Sequence, residues 1–239
     1  NHITAGSKLE FTASGTKENA LVFDGKGATL NGSIVILGDF IALRNLNVAG
    51  DVYVSSSQTS VAFDTVNIAG AFNVTQDPAT VASLTAVDMK LEEANYQFLN
   101  STVAVMNIVR DFATIAVDEK SVISKVTIAS NVTEVTLNGA FKELVVGANE
   151  LKLNGQAVIQ NLIINSSTAK LVLGTLVKVA QLVLPTGAKV ADIISNYNEI
   201  KQNITGASNS TTSSTGGSSG SSSSNSNKDD VDSDDSSTD

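Results

Sequence analysis

The chain of 239 residues has no cysteine, no tryptophan, one histidine, two prolines and three tyrosines. Without cysteine it has neither disulfides nor thiolate metal sites, a composition that fits exported bacterial proteins and cytosolic ones equally. His2 is the sole imidazole, which excludes histidine-based triads and imidazole metal clusters. Arginine occurs only at Arg44 and Arg110, and the formal net charge is -9, so there is no basic stripe for nucleic acid. A polysaccharide lyase or hydrolase would need clustered carboxylates with basic residues and aromatic sugar platforms, and the spacing of Tyr53, Tyr96 and Tyr197 suggests no stacked subsite. The composition therefore points away from an enzyme, and no cofactor or metal is expected. No apolar run reaches the 18 residues of a membrane span, and the abrupt start at Asn1 is expected to reflect a removed leader or an excised fragment.

Bulky apolar residues are almost missing from one segment as well. From Ala207 onward only Val231 has a large apolar side chain, and such a stretch cannot offset its ordering entropy by burial. Residues 204–239 are therefore expected to be a disordered Ser/Gly/Asn/Asp-rich linker. It holds Lys228 and six aspartates, net -5 of the total -9, leaving about -4 on residues 1–203. Within it Asp230, Asp232 and Asp234 resemble the start of a calcium loop, but Asp235 occupies the place of the required glycine, which favours a solvated acidic linker.

What the rest of the chain has is a repeat. IALRNLNVAGDVYV at 41–54 returns as VAFDTVNIAGAFNV at 61–74. An apolar triplet with spacings of three and two occurs at Leu43, Leu46 and Val48, and again around Val66, Val87, Met106, Val126, Leu144, Leu162 and Leu182. A period near twenty belongs to solenoids, in which each unit buries its apolar face only by stacking on its neighbours. Apolar residues two apart share one face of a strand, and the step of three demands a corner. The fold expected is all-β: a single-stranded parallel β-solenoid over residues 1–203, right-handed, with eight to nine coils. Its first coil is irregular, with strand-like pieces at LEF, LVF and IVI. Its C-terminal helical cap covers about residues 185–203, where Val190, Ile193, Ile194, Tyr197 and Ile200 follow helical spacing.

The residue after each origin points outward. It reads Asn47, Asn67, Asp88, Asn107, Thr127, Val145, Ile163, Val183, polar for five coils and apolar for three. Either the C-terminal segment folds over Val145, Ile163 and Val183, or these form an interaction surface for another domain or copy. The least regular coil, KLEEANYQF, is the place expected for a binding loop, with Glu92, Glu93, Tyr96 and Phe98. Sequons at Asn73, Asn131 and Asn203 carry no weight in so Asn- and Thr-rich a chain.

LRNLNVAGDVYV, FDTVNIAGAFNV, the later LNG and LVL strands, the closing LPTGAKVADIISNYNEIKQNITG and the tail together resemble the β-helical segments of large Gram-positive surface proteins that carry S-layer homology domains. The resemblance spans about residues 20–239 and implies an extracellular, cell-surface stalk, spacer or adhesion segment without catalytic residues. Its implied partners are cell-wall or extracellular glycan, another surface protein, or a second copy. A carbohydrate-active or glycan-binding β-helix is the alternative, and a self-assembling, bactofilin-like scaffold is the second.

Overall fold

In the computed structural model, residues 7–55, 60–75 and 94–210 are described. The chain winds through β1 (Ser7–Phe11), β2 (Leu21–Leu30), β3 (Gly32–Ile36), β4 (Ile41–Val48), β5 (Val52–Ser55), β6 (Ser60–Thr75), β7 (Ala94–Leu99) and β8 (Thr102–Ile108). It continues through β9 (Ala113–Val117), β10 (Val122–Ile128), β11 (Glu134–Val146), β12 (Glu150–Asn154), β13 (Ala157–Ile164), β14 (Lys170–Leu173) and β15 (Lys178–Leu184). Two single-turn helices, α1 (Val190–Ile193) and α2 (Tyr197–Ile200), precede the last strand, β16 (Ile204–Asn209). Every strand pairing is parallel and none joins consecutive strands by a hairpin. The fold is a parallel β-solenoid.

The pairings resolve into three sides. The first is a ladder of β1, β3, β5, the end of β6, β8, β10, the end of β11, β13, β15 and β16. Ten strands give nine steps, a rod about 43 Å long at a spacing of about 4.8 Å. The second side stacks the starts of β2, β4 and β6 with β7, β9, the start of β11, β12 and β14. On the third, residues 28–30, 46–48 and 66–68 lie over one another, and Ile68 continues the column to Val103, Ile123, Phe141, Ile159 and Val179. Because stacking is in register, each inward residue rests on its equivalent. Leu9, Ile34, Val52, Phe72, Met106, Val126, Leu144, Leu162 and Leu182 form one such column, and from Ile34 onward all are buried.

The phase of the repeat differs from the sequence reading. Leu46 and Val66 belong to the third side, whereas Met106, Val126, Leu144, Leu162 and Leu182 belong to the first. Phe72 pairs directly with Met106, so one long coil of 34 residues stands where two of about twenty were expected. The triplet around Val87 lies outside the described residues. Phe112, two residues past the buried Arg110, turns outward: it has a φ of 58°, is 39% exposed, and leaves the inward place before Ile115 to Ala113.

The repeated Ala-Gly of the two similar stretches marks a corner between the third and first sides. A Cβ on Gly50 would lie 2.6 Å from the carbonyl oxygen of Gly32, and one on Gly70 would lie 2.5 Å from that of Gly50. Glycine here permits close coil-to-coil approach. The step of three between Leu43 and Leu46, and between Phe63 and Val66, is the corner between second and third sides, where Asn45, Thr65 and Asn100 have φ of 50°, 58° and 46°. Asn adopts this left-handed backbone readily, whereas the β-branched Thr65 adopts it at a cost in strain.

At the C-terminal end, Ile193, Ile194 and Ile200 are buried against the core, as a cap requires. Ile194 bridges to Leu171, and Asn196 both accepts from the Leu173 N–H and donates to its carbonyl, so the helical segment continues along the second side. The solenoid then adds β16 on β15, moving its boundary from 203 to about 210. Replacing Thr65 with Asn is expected to raise stability by about 1 kcal/mol through relief of the left-handed strain, read as a rise in melting temperature. Thr65→Val should give no such gain.

Candidate interaction surface

The side chains that could do chemistry are largely engaged in joining coils. Asp39 accepts from the N–H groups of Phe40 and Ser60 at 2.8 Å each, and Asp51 from the Ala71 N–H at 2.8 Å and the Tyr53 hydroxyl at 2.9 Å. Asp111 accepts from the N–H groups of Thr133 and Glu134, one coil on. Asp118 accepts from the Asn100 N–H and the Ser121 hydroxyl. Desolvation alone would raise the Asp118 pKa, but these donors outweigh it and hold the group below the usual carboxylate range. These carboxylates satisfy backbone donors that the corners leave without ladder partners. Among the described residues no three His, Cys, Asp or Glu come together as a metal site would require.

Val145, Ile163 and Val183 are consecutive in register on β11, β13 and β15, half-buried and pointing outward from the first side. The structure brings them together as expected, but the column they belong to runs differently. It reads Glu10, Val35, Tyr53, Asn73, Asn107, Thr127, Val145, Ile163, Val183, Ser208, so Asn47 and Asn67 are not members. The Asn107 side-chain amide donates to Asn73 Oδ1 at 2.9 Å, forming a polar centre between two apolar stretches. The C-terminal helices do not cover the stripe, since α1 packs on β14 of the second side. Lys125 and Glu143 pair at 3.0 Å along its flank, and Gln181 reaches Ser208 at 2.9 Å.

The expected binding loop requires correction. Tyr96 and Phe98 are not loop residues; they are inward positions of β7 and both have 0% exposure. Phe98 stacks on Phe63 with centroids 4.8 Å apart and rings 6° from parallel, and Phe72 meets both Phe98 and Tyr96 edge-on. The aromatic residues are a core plug. Glu92 and Glu93 lie outside the described residues. The Tyr96 hydroxyl has no hydrogen-bond partner of acceptable geometry among the described residues. Burial pushes its ionisation up to about 12, against the opposing pull of the Arg110 guanidinium.

Sequence reading missed a groove of about 450 Å³ at the corner between the second and third sides. Its walls carry Gln97, Asp118, Asn138 and Gln156 over an apolar floor that includes Leu99 and Val117. Gly139, at φ 114°, forms part of the rim, where a Cβ would collide with the Val117 carbonyl at 2.3 Å. The lining comes from four coils about twenty residues apart, so no local motif announces it.

No protein-family model, curated protein or solved structure matches the chain.

Two outcomes follow from these placements. Ile163→Asp should leave the fold intact, because the side chain points outward, whereas Leu162→Asp should unfold it; circular dichroism separates the two. The neutral Tyr96 phenol is favoured by the native state, whose pKa exceeds the unfolded value of about 10. Its contribution is therefore complete below pH ~10 and lost as pH rises toward about 12. Tyr96→Phe should abolish that part of the alkaline loss, seen in melts from pH 8 to 11.

Proposed function

We propose that this chain is a non-catalytic structural or adhesive rod, a stalk or spacer of a bacterial cell-surface or S-layer-associated protein. The observation that carries the reading is the use to which its polar residues are put. Asp39, Asp51, Asp111, Asp118 and Asn196 each bond to backbone of a neighbouring coil, which builds length and stiffness. The sequence resemblance to surface-protein β-helices supports the same role and an extracellular location, with another surface protein or a second copy as partner. No helix among the described residues is long and apolar enough to cross a membrane.

A second reading, glycan binding, is favoured by the amide-walled groove at Gln97, Asn138 and Gln156. Amides offer paired donors and acceptors for sugar hydroxyls, and Leu99, 44% exposed, offers an apolar contact.

The rod reading is tested by incubating the 239-residue chain with purified Gram-positive cell wall and with its soluble polysaccharide. Neither turnover of the polymer nor saturable binding to soluble glycan is expected, while small-angle scattering should give an elongated particle. Saturable binding lost in Gln97→Ala/Gln156→Ala would replace the rod reading by the second one, and polymer turnover would overturn both.

A further inference from the structure

The two ends of the rod are finished differently. At the C-terminal end Ile193, Ile194 and Ile200 close the core. At the other end Leu9, Phe11 and Phe23 are only partly buried, although Ile34, Ile36 and Leu43, their equivalents one coil on, have 0% exposure. Among the described strands, β1 pairs with β3 alone and β2 with β4 alone. Among the described residues both therefore present an outer edge.

The edge of β1 has a definite chemistry. The Phe11 carbonyl accepts from the Leu37 and Gly38 N–H groups, and the Ser7 carbonyl faces Gly32 so closely that a Cβ there would lie 2.0 Å from it. In an extended strand the N–H and C=O of one residue point to the same side, and the side alternates along the chain. Ser7, Leu9 and Phe11 thus turn their backbone groups toward β3, and Lys8 and Glu10 turn theirs away from the rod. The Lys8 and Glu10 side chains are 58% and 42% exposed and form an ion pair on the outer surface.

We propose that this edge docks antiparallel on the same edge of a second copy, about a twofold axis through Leu9. In that register Lys8 faces Glu10 of the partner subunit, and Glu10 faces Lys8 of the partner subunit. Both are hydrogen-bonded pairs, because these are the residues whose backbone groups point outward. Leu9 meets Leu9 of the partner subunit on the inward side, so the open core of one copy closes that of the other. Sliding the twofold to residue 8 sets Lys8 against itself, and sliding it to residue 10 does the same for Glu10. Charge therefore selects the register. At the opposite end β16 reads ITGASN, with no charged residue to select a register. The docking is an isologous interface, closing at two copies, and it is independent of what the rod is attached to.

The test uses the 239-residue chain in sedimentation equilibrium at low salt. The native chain should dimerise. Lys8→Glu and Glu10→Lys, which place like charges in both cross-strand pairs, should each weaken self-association by about tenfold or more while keeping the native circular dichroism spectrum. Mixing the two variants should restore a dimer, because every facing pair is then opposite in charge. A monomeric native chain, a dimer indifferent to both substitutions, or a mixture no tighter than its components would overturn the proposal.

Discussion

Everything in this molecule depends on one interaction, the parallel backbone ladder that fixes each coil about 4.8 Å above the last. Register in that ladder is kept along each side, and the corners absorb the differences between sides, so that Ile115 lies under Leu137 while Ile123 lies under Phe141. An inward residue therefore meets its own equivalent above and below, and the core becomes a set of columns such as Ile34, Val52, Phe72 and Met106. The same constraint governs the corners. Gly32, Gly50 and Gly70 stack with no room for a side chain, and Asn45, Thr65 and Asn100 take the left-handed turn at another corner. The polar side chains follow suit, since an aspartate at a corner finds the N–H groups of the next coil and is held by them.

The solenoid was legible in the sequence because inward positions must be apolar and strands place them two apart. Its length unit was legible for the same reason: Met106, Val126, Leu144, Leu162 and Leu182 keep their spacing in the structure. The phase was not legible. All three sides produce apolar triplets around a corner, so Leu43, Leu46 and Val48 look like Val103, Met106 and Ile108 while occupying different sides. The 34-residue coil between Phe72 and Met106 hid the slip, because its length is not far from two ordinary coils.

The surface was harder to read than the core. Val145, Ile163 and Val183 were found because they lie in one column of regular coils. Tyr96 and Phe98 were misplaced because the acidic pair before them reads as solvent-exposed loop. The alternation in ANYQFL, with Tyr and Phe two apart, was the signal that both point inward. The Gln97 to Gln156 groove is assembled from separate coils at a corner, where sequence pattern carries least information. The edge at Lys8 and Glu10 depends on which way backbone groups point, and composition does not encode that.

The hydrogen bonds of the ladder run along the axis of the rod, not across it. A pull applied through the two ends therefore opens them like a zipper, a few at a time, instead of shearing a whole strand at once. Each coil that lets go releases about twenty residues, roughly 65–70 Å of extended chain, where it had occupied about 4.8 Å. Stiff against bending, the molecule would yield to tension by paying out chain in steps, with the coils still stacked continuing to hold.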